Sequence, residues 1–264
     1  MTKPLSVQLY SLREYTGKDL PAVLKKVADI GYKGVEPAGF FNLRPSEFKH
    51  MCDDLGLTIY SAHSPWARPQ SLGEAMELAD LLGLKRIVCG YQASDFADLD
   101  SIKRAAETTN QMQTFLARNG FMLFQHNHAF EFDRLDGKLK YDIYAELCPD
   151  VQFQIDCFWS ANAGAENAVE MLKRFADRTV LIHMKDGLLP SSPAAPTSPG
   201  APKAKADLRP LGSGDLDIPG LVEVMPDQVE TITVELDYCD IDMWTAITDS
   251  YHYMTENKLA AGNR

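Results

Sequence analysis

Eight short apolar runs, rich in β-branched and aromatic residues, alternate with amphipathic stretches along the whole chain, at 5–9, 34–36, 57–61, 86–89, 121–126, 151–156, 180–183 and 231–235. Strand-length runs separated by helix-length segments are the mark of repeated βα units around a parallel sheet. Eight such units are the number that closes a barrel, and 264 residues suit one barrel of this kind. The expected fold is therefore α/β, a (β/α)8 TIM barrel occupying residues 1–264 as one domain. Between the runs, Leu20, Val23, Leu24, Val27 and Ile30 recur at helical spacing and stop at Gly31. Similar stripes occupy 72–82, 102–116, 169–175 and 244–254, with a shorter one from Pro45 to Asp54.

One segment breaks the alternation. From about 189 to 210 the chain is rich in Pro, Ser and Ala and carries Lys203, Lys205 and Arg209, the composition of a flexible or polyproline-like loop. It follows the seventh run, so it is expected to emerge at the C-terminal face of the barrel. Two readings stay open for it, a lid or partner contact and a tolerated insertion.

In a parallel barrel the C-terminal strand ends build the active site, so the residues that close each run decide what the chain can do. They are Gln8 and Tyr10, Glu36, His63, Gln125 with His126 and His128, Asp156, His183 with Lys185, and Glu235 with Asp237. A lone Asp or His at a strand end is ordinarily a cap or a satisfied polar contact. Carboxylates and imidazoles converging from several strands leave negative charge that calls for a cation, and one divalent metal ion answers it. Mixed His, Asp and Glu ligation favours Mn, Co, Zn or Fe over Mg or Ca. Alternation along a strand puts Gln154 with Asp156, His183 with Lys185, Glu235 with Asp237, and His126 with His128 on common faces, while Gln125 and Asn127 face the other way.

Charge and cysteine usage narrow the partners. With 37 acidic against 26 basic residues the net charge is -11, which repels nucleic acid and anionic membranes and leaves a small carbohydrate as the better partner. Five scattered cysteines without a Cys-x-x-Cys pair indicate neither a disulfide framework nor a thiolate zinc site. The N-terminal residues Met1-Thr2-Lys3-Pro4 run straight into the first strand pattern, and no apolar run is long enough to span a bilayer. A cytoplasmic protein is expected.

Five motifs in order carry a family resemblance: Phe124 to Phe132 (Phe-Gln-His-Asn-His-Ala-Phe-Glu-Phe), Ile155 to Trp159 with Ala163 and Gly164, Ile182 to Asp186 (Ile-His-Met-Lys-Asp), Leu211 to Asp217, and Val234 to Asp237. Together they resemble the xylose-isomerase-like TIM-barrel superfamily, in its branch of sugar phosphate isomerases and epimerases, over nearly the whole chain. The resemblance implies a divalent metal held by a Glu, an Asp, a His and a Glu on the fifth to eighth strands. The last three fall on Asp156, His183 and Glu235. Where ketose epimerases of the family place the first Glu, this sequence has Gln125-His126, so His126 is taken as the replacing ligand with His128 at the substrate. Gln125, His128 and Glu131 remain alternatives for that ligand.

What the resemblance implies for chemistry is proton abstraction α to the carbonyl of a keto-sugar or a polyol-derived ketone. Glu235 or His128 serves as base, Glu131 is a further candidate, and Lys185 serves the developing oxyanion or acts as acid. A structural salt bridge from Lys185 to Glu36 or Asp237 is the competing role. Gln8, Glu36, His63, Trp159 and Asp237 are expected at the substrate, with Phe158 and Trp66 as further rings either stacking on the sugar or belonging to the core. Gly212-Ser213-Gly214 is too weak a motif to indicate phosphate, since Asp215 and Asp217 beside it oppose an anion.

Losing the family's Glu on the fifth strand weakens symmetric two-carboxylate epimerisation and keeps a lyase or dehydratase as an alternative. From other classes, a non-catalytic sugar- or partner-binding barrel stays open. A DNA-repair endonuclease would need a fuller ligand set than 6 histidines and a basic groove. Barrels of this kind are frequently dimers or tetramers, which leaves a homo-oligomer open.

Overall fold

The eight runs become eight parallel strands because each carries outward-facing apolar side chains that a helix can cover. In the computed structural model, which describes residues 2–41, 43–190 and 206–263, they are β1 (Leu5–Gln8), β2 (Gly34–Glu36), β3 (Thr58–Ile59), β4 (Arg86–Cys89), β5 (Met122–His126), β6 (Gln152–Asp156), β7 (Thr179–Met184) and β8 (Ile232–Val234). They form one curled sheet in the order β3, β2, β1, β8, β7, β6, β5, β4. The helices α1 (Arg13–Ile30), α2 (Pro45–Asp54), α3 (Leu72–Leu82), α4 (Leu99–Arg118), α5 (Lys140–Leu147), α6 (Ala168–Arg174), α7 (Ile218–Glu223) and α8 (Met243–Glu256) alternate with them. The expected α/β barrel is the observed one. No helix among the described residues is long and apolar enough to cross a membrane, and all five cysteines are free.

Helix α1 illustrates how local sequence sets the elements. Leu20, Val23, Leu24 and Val27 are buried on one face, and Gly31 ends the helix at φ 118 with its N–H on the Val27 carbonyl at 3.3 Å. The helix also extends toward the N-terminus beyond the expected stripe. At Asp19 the backbone leaves helical geometry, and its carboxylate accepts from the Ala22 N–H at 3.0 Å, so it caps the portion that follows.

Alternation along the strands divides the residues into two regions. Leu5, Val7, Val35, Leu123, Phe153, Ile155, Ile182, Met184 and Val234 face the helices and join the main apolar core. Val88, Phe124 and Leu181 form a separate small cluster with Trp66 and Met122. Ser6 and Thr233 meet through their hydroxyls at 2.8 Å. The register sets Gln8 beside Glu36, His126 beside Gln154, and His183 between Asp156 and Thr233.

Two expectations need correction. The third run, 57–61, shrinks to Thr58–Ile59, because β3 lies at one end of the sheet order with a ladder to β2 alone. Across the seam to β4, the Ala67 N–H reaches the Val88 carbonyl at 2.7 Å. The Trp66 ring there fills the space in which a Cβ on Gly90 would sit 1.8 Å from it. The second correction concerns the Pro-rich loop at about 189–210. Its middle, 191–205, lies outside the described residues, but its end is not loop. Asp207–Arg209 pairs antiparallel with Asp186–Leu188. The buried Asp186 carboxylate accepts from the backbone N–H groups of Gly187, Gly212, Gly214 and Leu216 at 2.8 to 3.2 Å, tying the Leu-Gly-Ser-Gly stretch to the end of β7.

Candidate active site

Four neighbouring strands deliver the ionisable residues that the sequence pattern singles out. His126 closes β5, Asp156 closes β6, His183 lies near the end of β7, and Glu235 follows β8 with its N–H on the Met184 carbonyl at 3.2 Å. All four are buried, and each offers a ligand atom within 4.8 Å of the others. His63, His126 and His183 form a second, overlapping group of the same kind. The His63 ring stacks on His183 at a centroid distance of 5.0 Å and meets His126 edge-on at 4.8 Å.

Glu36, fully buried and one of the expected substrate contacts, meets this cluster through His183 and His63. It accepts from His183 Nε2 at 2.7 Å and from Gln154 Nε2 at 2.8 Å, and it also takes hydrogen bonds from Gln8 and Ser61. His63 Nε2 lies 3.1 Å from the same carboxylate. Gln8, likewise buried, spends its other atom on the Tyr10 N–H at 3.0 Å. His183 Nδ1 meets Glu235 at 2.6 Å, so both of its ring nitrogens face carboxylates.

Gln154 is the residue that sequence reasoning passed over. Its carbonyl oxygen faces His63 at 2.6 Å and His126 at 3.0 Å, while its amide donates to Glu36. The signal was present, since alternation already put Gln154 on the face of Asp156.

Lys185 projects beside His183 into the same interior. Its ammonium lies 3.0 Å from Asp156, 2.9 Å from Glu235 and 2.8 Å from Asp237. Of the two expected salt-bridge partners, Asp237 is met and Glu36 is not among its ion pairs. Asp156 Oδ1 accepts from the Trp159 N–H at 2.9 Å, whereas the buried Oδ2 has the Lys185 ammonium near it but no hydrogen bond. Trp159 is half-buried, its ring 5.5 Å from that ammonium, and Phe158 is buried against Leu208, Leu236 and Ala246 in the core. Trp66 packs edge-on to His63 at 5.0 Å.

The other residues of the 125–131 segment divide between two sides of β5. Gln125 turns away to accept from the Tyr141 hydroxyl at 2.6 Å and to donate to Glu131 at 3.3 Å. Asn127 braces β6 by accepting from the Asp156 N–H at 2.9 Å. Glu131 is fully buried behind His128, taking the His128 N–H at 2.9 Å, with its carboxylate 3.7 Å from His128 Nδ1. His128 is the most open of these, its side chain 41% exposed. Among the described residues neither His128 nor Glu131 belongs to the groups of converging His, Asp and Glu ligand atoms, and the Gln125 side chain is spent on Tyr141 and Glu131.

Burial works against every charge here, and the pairings decide which charges survive. Burial alone pushes the Glu36 pKa up, but the His63 and His183 imidazoles hold it at about 2. Burial likewise opposes the His183 charge, yet Glu36 and Glu235 raise its pKa to about 10. Against the same burial, Lys185 and His183 keep Glu235 well below the usual carboxylate range. The carboxylates of Asp156, Glu235 and Asp237 hold Lys185 charged. For Asp156 burial prevails over Lys185 and the pKa rises. His126 is pushed well below its ordinary value, first by burial and then by His183 and His63. It is therefore a neutral imidazole, the form that donates a lone pair to a metal. Burial also lowers His63, against the pull of Glu36. In His128, Glu131 outweighs burial and raises the imidazole.

Comparisons with known proteins bear on this geometry. A family model described as xylose isomerase-like TIM barrel matches residues 24–246. No curated protein matches the chain. Among solved structures, a sugar phosphate isomerase/epimerase from Parabacteroides distasonis is 20% identical, with a TM-score of 0.72 over 99% of this chain and 96% of its own. The 3-keto-D-glucoside 4-epimerase of E. coli is 17% identical, with a TM-score of 0.69 over 96% of this chain and 99% of its own. A protein from Bacillus anthracis described as the probable 3-DHS dehydratase of petrobactin synthesis is 12% identical, with a TM-score of 0.72 over 96% and 98%. At these identities the likeness is one of fold.

Proposed function

The chain belongs to the xylose isomerase-like TIM barrel family, and from that premise we propose that it is a divalent-metal-dependent carbohydrate enzyme. In this reading one barrel domain abstracts a proton α to the carbonyl of a keto-sugar or polyol-derived ketone. A single observation carries the proposal: four consecutive strands bring buried His126, Asp156, His183 and Glu235 together with their ligand atoms within 4.8 Å of one another.

The residues fit a metal on their own chemistry. Two imidazoles and two carboxylates make a mixed nitrogen and oxygen set suited to Mn, Co, Zn or Fe. Asp156 Oδ2 is a buried acceptor without a hydrogen bond, the kind of atom a cation satisfies. When bound, such an ion polarises a carbonyl and makes the neighbouring C–H acidic.

The chain's own groups then divide the work. His128 stands half-open at the mouth, its Nδ1 without a hydrogen bond but 3.7 Å from the Glu131 carboxylate, whose charge raises the ring's basicity toward the α-proton. Glu235 is the alternative base. Lys185 supplies N–H donors for the developing oxyanion. Trp159, Trp66 and His63 flank the sugar, and Asp237, on the more open side of Lys185, meets its hydroxyls. Gln8 and Glu36, also expected at the substrate, hold His183 and, through Gln154, His63 and His126.

A second reading, elimination of water or another group from a keto-sugar or keto-inositol, has one observation in its favour. The fifth strand ends in His126 where an epimerase of the family carries Glu, and Glu131 is turned behind His128. One base and one acid suffice for elimination, whereas reversible epimerisation needs a base on each face.

Metal analysis after mild purification tests the reading. A stoichiometric ion lost in both Asp156→Asn and His183→Ala is expected; native protein that neither retains nor takes up a divalent ion would sink it in favour of a non-catalytic barrel. Deuterium exchange into a panel of keto-sugars and keto-inositols separates the two reactions, since exchange without epimerised product points to elimination.

A further inference from the structure

Lys185 follows His183 by two residues, so its side chain rises on the same inward face, and it is buried. Its ammonium lies within 3.0 Å of three carboxylates, those of Asp156, Glu235 and Asp237. Two of the three, Asp156 and Glu235, are also members of the four-residue group that can hold a metal ion. The same pair of carboxylates is thus offered both to a fixed monovalent cation and to a divalent one.

We infer that Lys185 is a built-in competitor of the metal, a counter-cation that weakens the ion's hold on Asp156 and Glu235 while keeping both carboxylates neutralised and in place. The inference rests on the metal-dependent reading above. Two cations sharing the same carboxylates repel each other, and a buried site screens that repulsion poorly. Asp237 gives the ammonium an anchor outside the metal group, with a side chain 27% exposed. Were Asp156 and Glu235 to hold an ion, Lys185 would keep Asp237 as a partner and stay at the site. A purely structural ion pair makes the opposite forecast, because removing the ammonium would then loosen the carboxylates and the metal with them.

The test is the affinity of chelator-stripped protein for Mn2+, measured by calorimetric titration, alongside thermal unfolding with and without the ion. Lys185→Met, similar in length and uncharged, is expected to bind Mn2+ at least about tenfold more tightly. Its stripped form should unfold at a lower temperature, with the loss restored at saturating Mn2+. Lys185→Arg keeps the charge and should not gain affinity. Should Lys185→Met fold only with Mn2+ present, the ion is performing the ammonium's task, which supports the inference. Should it not fold at all, Asp237→Asn decides. That change leaves the ammonium only Asp156 and Glu235, so Mn2+ binding should weaken, and unchanged or tighter binding overturns the inference. Equal or weaker binding by a folded Lys185→Met overturns it as well. Wild-type protein that binds none of Mn2+, Co2+, Zn2+ or Fe2+ removes the functional reading together with this one, an outcome distinct from a wild type that binds while Lys185→Met gains nothing.

Discussion

The layer between strands and helices and the inside of the barrel are built from the same eight strands, yet they are held together by different physics. In the outer layer Leu5, Val7, Val35, Leu123, Ile155 and Val234 pack against helices, and the packing is apolar and tolerant of detail. Inside, on the alternate positions of the strands, are Ser6, Gln8, Glu36, His126, Gln154, Asp156, His183 and Thr233, also buried, beside the small apolar cluster of Val88, Phe124 and Leu181. There most polar atoms depend on a particular partner, Asp156 Oδ2 being without a hydrogen bond, and loss of one partner leaves others uncompensated. Outer burial stabilises the fold, and inner burial specifies a geometry.

The difference can be broken by substitution. Glu36→Ala takes a shared acceptor from His183, Gln154, Gln8 and Ser61 and leaves buried donors and charge behind. It is expected to cost about 4 kcal/mol of unfolding free energy, in the range for breaking a buried ion pair. Equilibrium urea denaturation measures this, and a cost below that of an outer-layer truncation would show that the interior does not rely on its charge network. Leu123→Ala in the outer layer should cost about 3 kcal/mol through lost burial and a cavity. On the metal-dependent reading proposed above, Leu123→Ala should bind metal with the stoichiometry of wild type, and a loss would mean that the two regions are not separable. Thr233→Val removes one interior hydroxyl that faces Ser6 at 2.8 Å. Its cost should be about 1 kcal/mol, and a larger value would extend the cooperative network from the ionic cluster down to the floor of the barrel.

How much of this was legible beforehand follows from the same division. Alternation reveals which face a residue takes, so the strands, the outer core and the inward set of His126, Asp156, His183 and Glu235 could be read from runs such as 151–156. What alternation does not reveal is which inward residues meet across the barrel. Glu36 closes β2 and is expected at the substrate on that ground alone; its 2.7 Å contact with His183 on β7 comes from the curling of the sheet, which alternation does not reveal. Gln154 was placed on the right face but given no role, since its partners His63 and Glu36 lie on distant parts of the chain. The run 57–61 predicts a longer third strand than Thr58–Ile59, since an apolar run does not announce that it will lie at the end of the sheet order. The end of the Pro-rich stretch takes its loop expectation from the composition of 189–210, which outweighs a three-residue run around buried Leu208 whose strand partner, Asp186–Leu188, lies on the far side of the insertion.

That pairing has a consequence for how the chain can be altered. Asp186–Leu188 and Asp207–Arg209 lie side by side, and the Asp186 carboxylate gathers Gly212, Gly214 and Leu216 onto the same spot. The chain therefore leaves and rejoins the barrel at one doorway whose two posts are fastened together. Replacing 191–205 by a short Gly-containing turn should leave the melting temperature unchanged, the smallest effect expected of any alteration described. An unrelated peptide or a whole folded module spliced in at the same place would hang from the rim of the barrel beside His183 and Lys185, making this doorway a natural port for giving the enzyme a new attachment.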